Sequence, residues 1–149
     1  MQRNTTNLRL PYGLNLPPAN SDLTILIESD IDSYSGRASV VQRFISTEDD
    51  PESELSLFIT TGGILGCRAW GTRLDMTQAI QSGISMLRIE GNAITLRNGG
   101  NTQTGTISTT ATQSNTLRIG RGSSVSSSLN GHIKNIRIWH RALADTELP

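Results

Sequence analysis

Short apolar runs recur along the chain, separated by turn residues: "NLRL" at 7–10, "DLTILIE" at 22–28, "RASVVQRFIS" at 37–46 and "ELSLFITT" at 54–61. Then come "ILGCRAW" at 64–70, "SMLRIE" at 85–90, "AITLRN" at 93–98, "TLRIG" at 116–120 and "HIKNIRIWH" at 132–140. Ile, Leu, Val, Thr and Phe dominate them, and several alternate. Leu23, Ile25 and Ile27 fall on one parity and Thr24, Leu26 and Glu28 on the other. Alternation over short, evenly spaced segments predicts half-buried strands.

The linkers agree. "TGG" at 61–63 and "EGN" at 90–92 read as hairpin turns, with Gly91 free to take a positive φ. "NGGNTQTG" (98–105) and "RGSSVSSSLNG" (121–131) read as longer surface loops. "STEDDPESE" (46–54), with five acids and a proline, reads as a solvated loop. Residues 74–83, "LDMTQAIQSG", are the one candidate helix, with Gly83 as its stop, and 142–148 make a final turn. Many short strands and almost no helix predict an all-β fold, an antiparallel β-sandwich of two sheets or jelly roll.

A length of 149 residues suits one domain, 1–149, and there is no internal repeat or heptad. Apolar residues make up 35% and charged residues 17%. The charged fraction is below the usual quarter, and Ser, Thr, Asn and Gly fill the difference, which favours strands and turns. No apolar run approaches the ~18 residues that span a bilayer, so membrane insertion is not expected. The start, "MQRNTTNLRLPYG", has no apolar core of the secretory-signal kind, so the chain is read as used without Sec export or as trimmed.

Net charge is zero but unevenly spread. Residues 1–57 hold nine acids and four bases, and residues 58–149 four acids and nine bases. Neutral overall charge with bases scattered over strands argues against nucleic-acid binding. The two halves suit a charge-complementary contact between copies, so a homo-oligomer is expected. Twelve of the thirteen bases are Arg, the residue suited to planar bidentate contacts. Cys67, the single cysteine, cannot form an internal disulfide and reads as a small buried hydrophobe. His132 and His140, eight residues apart on one strand, are too distant to share a metal.

The last third narrows the fold. "TLRIGRG", a Ser-rich loop and "LNGHIKNIRIWHRALADTEL" resemble the closing segment of laminin-G-like, concanavalin A-like jelly rolls. That family closes with a Gly, an isoleucine, a Val-Arg-Ile-aromatic strand, an Arg-Ala-Leu turn and an acid. Here these are Gly131, Ile133, Ile136, Arg137, Ile138, Trp139, Arg141, Ala142, Leu143 and Glu147. The resemblance is good over 85–148 and loose over 8–70. The residues agree with it: Ile136 and Ile138 share a face, Arg137 and Trp139 the other, and Ile133 is out of phase, which predicts a bulge. Leu143 is then free to fold back over the sandwich end. Trp139 reads as a packed aromatic, with a sugar-stacking platform as the alternative.

The resemblance implies a lectin, a glycosidase, an adhesion module or a virion protein, so candidate sites must separate them. Retaining glycosidases of this superfamily carry Glu-x-Asp-x-Glu on one strand; here Glu28, Asp30 and Asp32 occupy those places. The acid/base position holds the shorter Asp, "SYSG" turns the chain away, and six aromatics are few for a sugar cleft. Catalysis is therefore not expected. The EF-hand pattern fails too, because its next ligand, glycine and final glutamate positions hold Tyr34, Ser35 and Val41. A calcium site of another kind would draw on Asp30, Asp32 or the Glu48–Asp49–Asp50 loop. Otherwise Glu28 ends a strand and the aspartates begin a polar turn.

Two functions remain beside the disfavoured glycosidase using Glu28 and Asp32. One is a free-standing lectin-type carbohydrate-binding domain, with Arg68, Trp70 and Arg73 in "CRAWGTR" as its ligand-binding set: Trp stacks on a sugar face and Arg bonds hydroxyls. The competing reading of Trp70 is core. The other, the leading expectation, is a non-catalytic module on a virion surface, such as a bacteriophage capsid decoration or head or tail fibre, contacting other virion subunits and a host-surface glycan. The texture of the chain resembles single-domain jelly rolls of tailed phages: Ser/Thr/Asn/Gly-rich strands and a single Lys.

Overall fold

Apolar side chains at every second position of Leu23–Ile31, Leu55–Ile59 and Ala93–Asn98 give each of two sheets a face to bury against the other. The computed structural model describes residues 8–10, 21–31, 42–47, 54–60, 62–80, 83–108, 117–120, 129 and 131–148. The front sheet has six strands in the order β1 (Leu8–Leu10), β10 (Leu117–Ile119), β3 (Gln42–Ser46), β4 (Leu55–Ile59), β5 (Ile64–Ala69), β6 (Thr72–Ala79). The back sheet has five: β11 (Gly131–Trp139), β2 (Leu23–Ile31), β7 (Gly83–Glu90), β8 (Ala93–Asn98), β9 (Asn101–Thr106). Every pairing is antiparallel. Strands near both ends of the chain pair inside both sheets, giving the concanavalin A-like jelly-roll sandwich.

The core lies between the sheets. Leu23, Ile25, Ile27, Leu87 and Leu96 from the back meet Leu55, Leu57, Ile59, Leu65 and Cys67 from the front, all at most 1% exposed. A register shift between Arg43 and Ile45 puts both Phe44 and Ile45 inside. The expected irregularity in the last strand is present between Ile133 and Asn135, and Ile133, Ile136 and Ile138 all pack on the core.

The two short turns form as expected. Gly63 (φ 76°) closes β4–β5 and Gly91 (φ 58°) closes β7–β8. Two expectations are corrected. Residues 72–79 are strand β6, hydrogen-bonded along β5, and not a helix; Gly83 opens β7 with φ 120° instead of stopping a helix. The apolar spacing of Leu74, Met76 and Ile80 fits either period, and pairing with β5 decides it. Residues 98–105 are not a long loop: Gly99 (φ 58°) turns the chain directly into edge strand β9. That strand, "NTQTGT", carries no apolar residue and so gives no periodic signal.

The C-terminal segment covers the outer side of the back sheet, not a sandwich end. Thr24, buried there, donates from Oγ1 to the Arg141 carbonyl at 2.9 Å and accepts from the Leu143 N–H at 2.9 Å. Arg88 donates to the Leu143 carbonyl (2.9 Å) and pairs with Asp145 (2.7 Å). The expected final turn is a 3₁₀ turn, Asp145–Glu147.

Two outcomes follow from this anchor. Thr24→Val keeps the shape but leaves two backbone groups without their partner, each worth ~1–3 kcal/mol when buried. Chemical denaturation should show a loss of about 2 kcal/mol, and limited proteolysis should cut near residue 141 first. The second outcome concerns acid. Arg141 and the Ala144 N–H hold the Glu147 carboxyl down, from its ordinary 4.5 to about 2, and Arg88 holds Asp145 below the usual range. Lowered carboxylates stabilise the folded state above their ordinary pKa, and this is lost as pH falls through the folded value. Glu147 should titrate near pH 2 by carbonyl NMR, with the 3₁₀ turn loosening between about pH 4.5 and 2; a Glu147 midpoint above 4 would break this account.

Candidate functional site

Because Leu55, Leu57 and Ile59 face the core, Glu54, Ser56 and Phe58 must face the other way. The same parity on neighbouring strands sends Ser46, Gly66, Arg68, Arg73, Asp75 and Arg118 to that outer side of the front sheet. Register aligns them. One row reads Arg118, Ser46, Ser56, Arg68, Arg73 across β10, β3, β4, β5 and β6, with the backbone of Arg9 next in line on β1. A second row reads Arg43, Phe58, Gly66, Asp75.

The short side chains form a floor and the arginines lie above it. Ser46 and Ser56 are fully buried, Phe58 is 1% exposed and Glu54 2%. The Arg73 guanidinium sits 5.2 Å over the Phe58 ring, a cation–π contact, and pairs with Asp75 at 3.0 Å. Gly66 permits this layer: a Cβ there would lie 2.5 Å from both the Phe58 ring and Asp75 Oδ1. Glu54 Oε1 accepts from Arg43 Nε (2.7 Å) and Ser46 Oγ (3.0 Å), and its Oε2 pairs with Arg68 Nε at 3.6 Å. Among the described residues, Arg43, Arg68 and Arg73 thus share two carboxylates on this face, Glu54 and Asp75. Planar N–H donors held in this way suit an oxygen-rich anionic ligand.

The expected ligand set divides. Arg68 and Arg73 are cross-strand neighbours on this face, as "CRAWGTR" suggested. Trp70 is elsewhere: it is fully buried, within the core cluster. Trp70 (φ 46°) and Gly71 (φ 96°) are the two central residues of the β5–β6 turn, both left-handed as a type I′ hairpin demands. That conformation is costly for a bulky side chain, and burial of the indole opposes the cost. With its ring packed inward, Trp70 offers no stacking platform.

Glu54, Arg43, Arg118 and the two serines escaped the sequence reading. The acidic run predicts a solvated loop for Glu54; it is instead buried just before β4, with its carbonyl accepting from the Trp70 N–H at 2.9 Å. Its parity with Leu55, Leu57 and Ile59 was the available signal.

The other candidates lie apart from this face. Glu28 and Asp30 point outward from the back sheet, and Asp30 pairs with Lys134 at 3.0 Å. Asp32 and the Glu48–Asp49–Asp50 loop fall outside the described residues. Among the described residues no group of three or more His, Cys, Asp or Glu side chains is close enough to hold a metal. Burial and the nearby Asp75 push the Cys67 thiol up to about 12, so it behaves as a buried hydrophobe and not as a nucleophile. Trp139 is half-buried on β11.

Trp70→Ala should lower stability by ~3–5 kcal/mol, the range for emptying a buried aromatic site. A melt and a urea titration measure it; a change below 1 kcal/mol would show that the indole is not in the core.

No family model matches the chain, and no curated protein does so. Solved structures do. The Ruminococcus gnavus IT-sialidase CBM40 bound to alpha2,3 sialyllactose aligns at 19% identity and TM-score 0.68, covering 87% of this chain and 81% of that one. Mouse laminin alpha1 chain, domains LG4-5, aligns at 17% and 0.65, covering 93% and 41%. Domain 4 of AbnA, a GH43 extracellular arabinanase from Geobacillus stearothermophilus, in complex with arabinotriose, aligns at 16% and 0.63, covering 95% and 69%. At these identities the likeness is one of fold.

Proposed function

We propose that this chain is a non-catalytic carbohydrate-binding module whose glycan lies on the arginine row of the front sheet, and that the glycan is acidic. The row Arg118–Ser46–Ser56–Arg68–Arg73 carries the reading: it sets guanidinium donors over a floor of hydroxyls, across five adjacent strands. Carboxylates and vicinal hydroxyls are the groups that such donors bind in pairs. Two of the structures that share the fold are described with a sugar bound, and one of those sugars, sialyllactose, carries a carboxylate. A hydrolytic role is not favoured, because Glu28 and Asp30 are on the opposite sheet and Asp30 is tied to Lys134. Display on a virion, with other virion subunits or a second copy as partner, remains an expectation from sequence texture. The structures named above are parts of enzymes and of laminin.

Calorimetry with alpha2,3 sialyllactose and with lactose tests the proposal. The acidic sugar should bind and neutral lactose should bind far more weakly. Binding should weaken as salt rises, since half-exposed charges are screened. Arg68→Ala should cost about tenfold or more in affinity with an unchanged melt, and EDTA should change nothing, because Glu54 and Asp75 are already tied to arginines. Equal binding of both sugars, or none of either, would sink the acidic-glycan reading.

A further inference from the structure

One buried carboxylate between two guanidiniums is an unusual thing to find under a proposed anion site. By simple electrostatics Glu54 should repel the ligand. Its geometry argues otherwise. Glu54 is 2% exposed, and its backbone is fixed on both sides: its carbonyl accepts from the Trp70 N–H at 2.9 Å, and the N–H of the following residue, Leu55, donates to Thr47 Oγ1 at 3.0 Å. The carboxylate meets Arg43 side-on, through Nε at 2.7 Å and Nη2 at 3.4 Å, and meets Arg68 through Nε at 3.6 Å.

A guanidinium approached from its Nε side keeps its terminal amino edge for another partner, and that edge too can take a carboxylate with two parallel bonds. The Arg68 side chain has no other hydrogen bond or ion pair among the described residues. Directly across the strand from it, Ser56 Oγ is fully buried and has no hydrogen-bond partner. An ion pair serving only stability would close such groups off, since an unsatisfied buried hydroxyl is costly. Here a pair of terminal amino groups and an orphaned hydroxyl lie on one row.

We infer that Glu54 is a positioning residue: it holds Arg68 by its Nε side and so presents the terminal edge of Arg68, together with Ser56 Oγ, to the acid group of a bound glycan. This rests on the acidic-glycan reading above. It deepens that reading by assigning the acid group to one place on the row, and by giving a negative charge a favourable role in binding a negative ligand.

The test measures binding of alpha2,3 sialyllactose to the wild type, Glu54→Gln and Ser56→Ala. Loss of a repelling charge would tighten binding in Glu54→Gln. Loss of positioning should weaken it about tenfold, with the salt dependence little changed. The Arg68 Nε–H resonance should also sharpen less and exchange faster in that variant than in the wild type. Ser56→Ala removes an unpartnered hydroxyl, so it should melt no lower than the wild type and still bind more weakly; it carries the test if Glu54→Gln does not fold. Unchanged or tighter binding in Glu54→Gln, or wild-type affinity in Ser56→Ala, overturns the inference and leaves the module reading standing. A wild type that ignores sialyllactose overturns the acidic-glycan reading, and the positioning role with it.

Discussion

Burial of Leu55, Leu57 and Ile59 against the back sheet is the constraint from which the outer face follows. A strand has two faces and a period of two, so three core leucine and isoleucine side chains leave Glu54, Ser56 and Phe58 no other direction. A slip of one residue would turn Glu54 and Ser56 into the core and turn all three apolar side chains out of it. Each of those is worth ~1.5–3 kcal/mol when buried, and Glu54 would also lose the arginines that partner its buried carboxylate. The apolar side sets the register, and the arginine row is assembled as its consequence. The ion pairs with Glu54 and Asp75 then orient side chains whose positions the core has already chosen.

The same ordering explains Trp70 and Gly66. The β5–β6 turn needs two left-handed residues, and only the second is glycine. The first is tolerated because the indole it carries is fully buried. Gly66, in contrast, is required for lack of a side chain: Phe58 and Asp75 come in over it from both neighbouring strands, and Arg73 lies over the Phe58 ring so placed. One strand therefore carries a residue whose bulk holds a turn and another whose absence of bulk makes room for the face.

Where the pattern of core residues was strong, the fold was legible. Alternation in β2, β4 and β8, the glycines at 63 and 91, the bulge after Ile133 and the closing turn could all be read from the residues. Two of the four edge strands, β6 and β9, were not legible. β6 and β9 each have a partner on one side in their own sheet, carry polar residues at most positions, and give little periodicity to detect. The site was half legible. Arg68 and Arg73 stand close in sequence and meet in space, but Trp70 between them looked like a ligand residue and is core. Arg43 and Glu54 meet across the β3–β4 pair, while Arg118 comes from β10, far along the chain, and its place beside Ser46 depends on a strand order that no local pattern reveals.

The uneven charge of the chain takes on a different meaning once the sheets are formed. The acidic first part and basic second part suggested attraction between copies. Within one chain, Glu54 of the first part meets Arg68 of the second, and Asp30 meets Lys134. Jelly-roll strand order interleaves distant segments, so opposite charges separated along the sequence become cross-strand neighbours. On the front face, among the described residues, Arg43, Arg68 and Arg73 draw on two carboxylates, Glu54 and Asp75, and Arg43 and Arg68 share the first. On the proposed reading, a ligand that brings its own carboxylate would add to that set, whereas a neutral sugar would leave it as it was. Charge balance within the fold and the proposed preference for a charged ligand would then be one arrangement, produced by the same interleaving of strands.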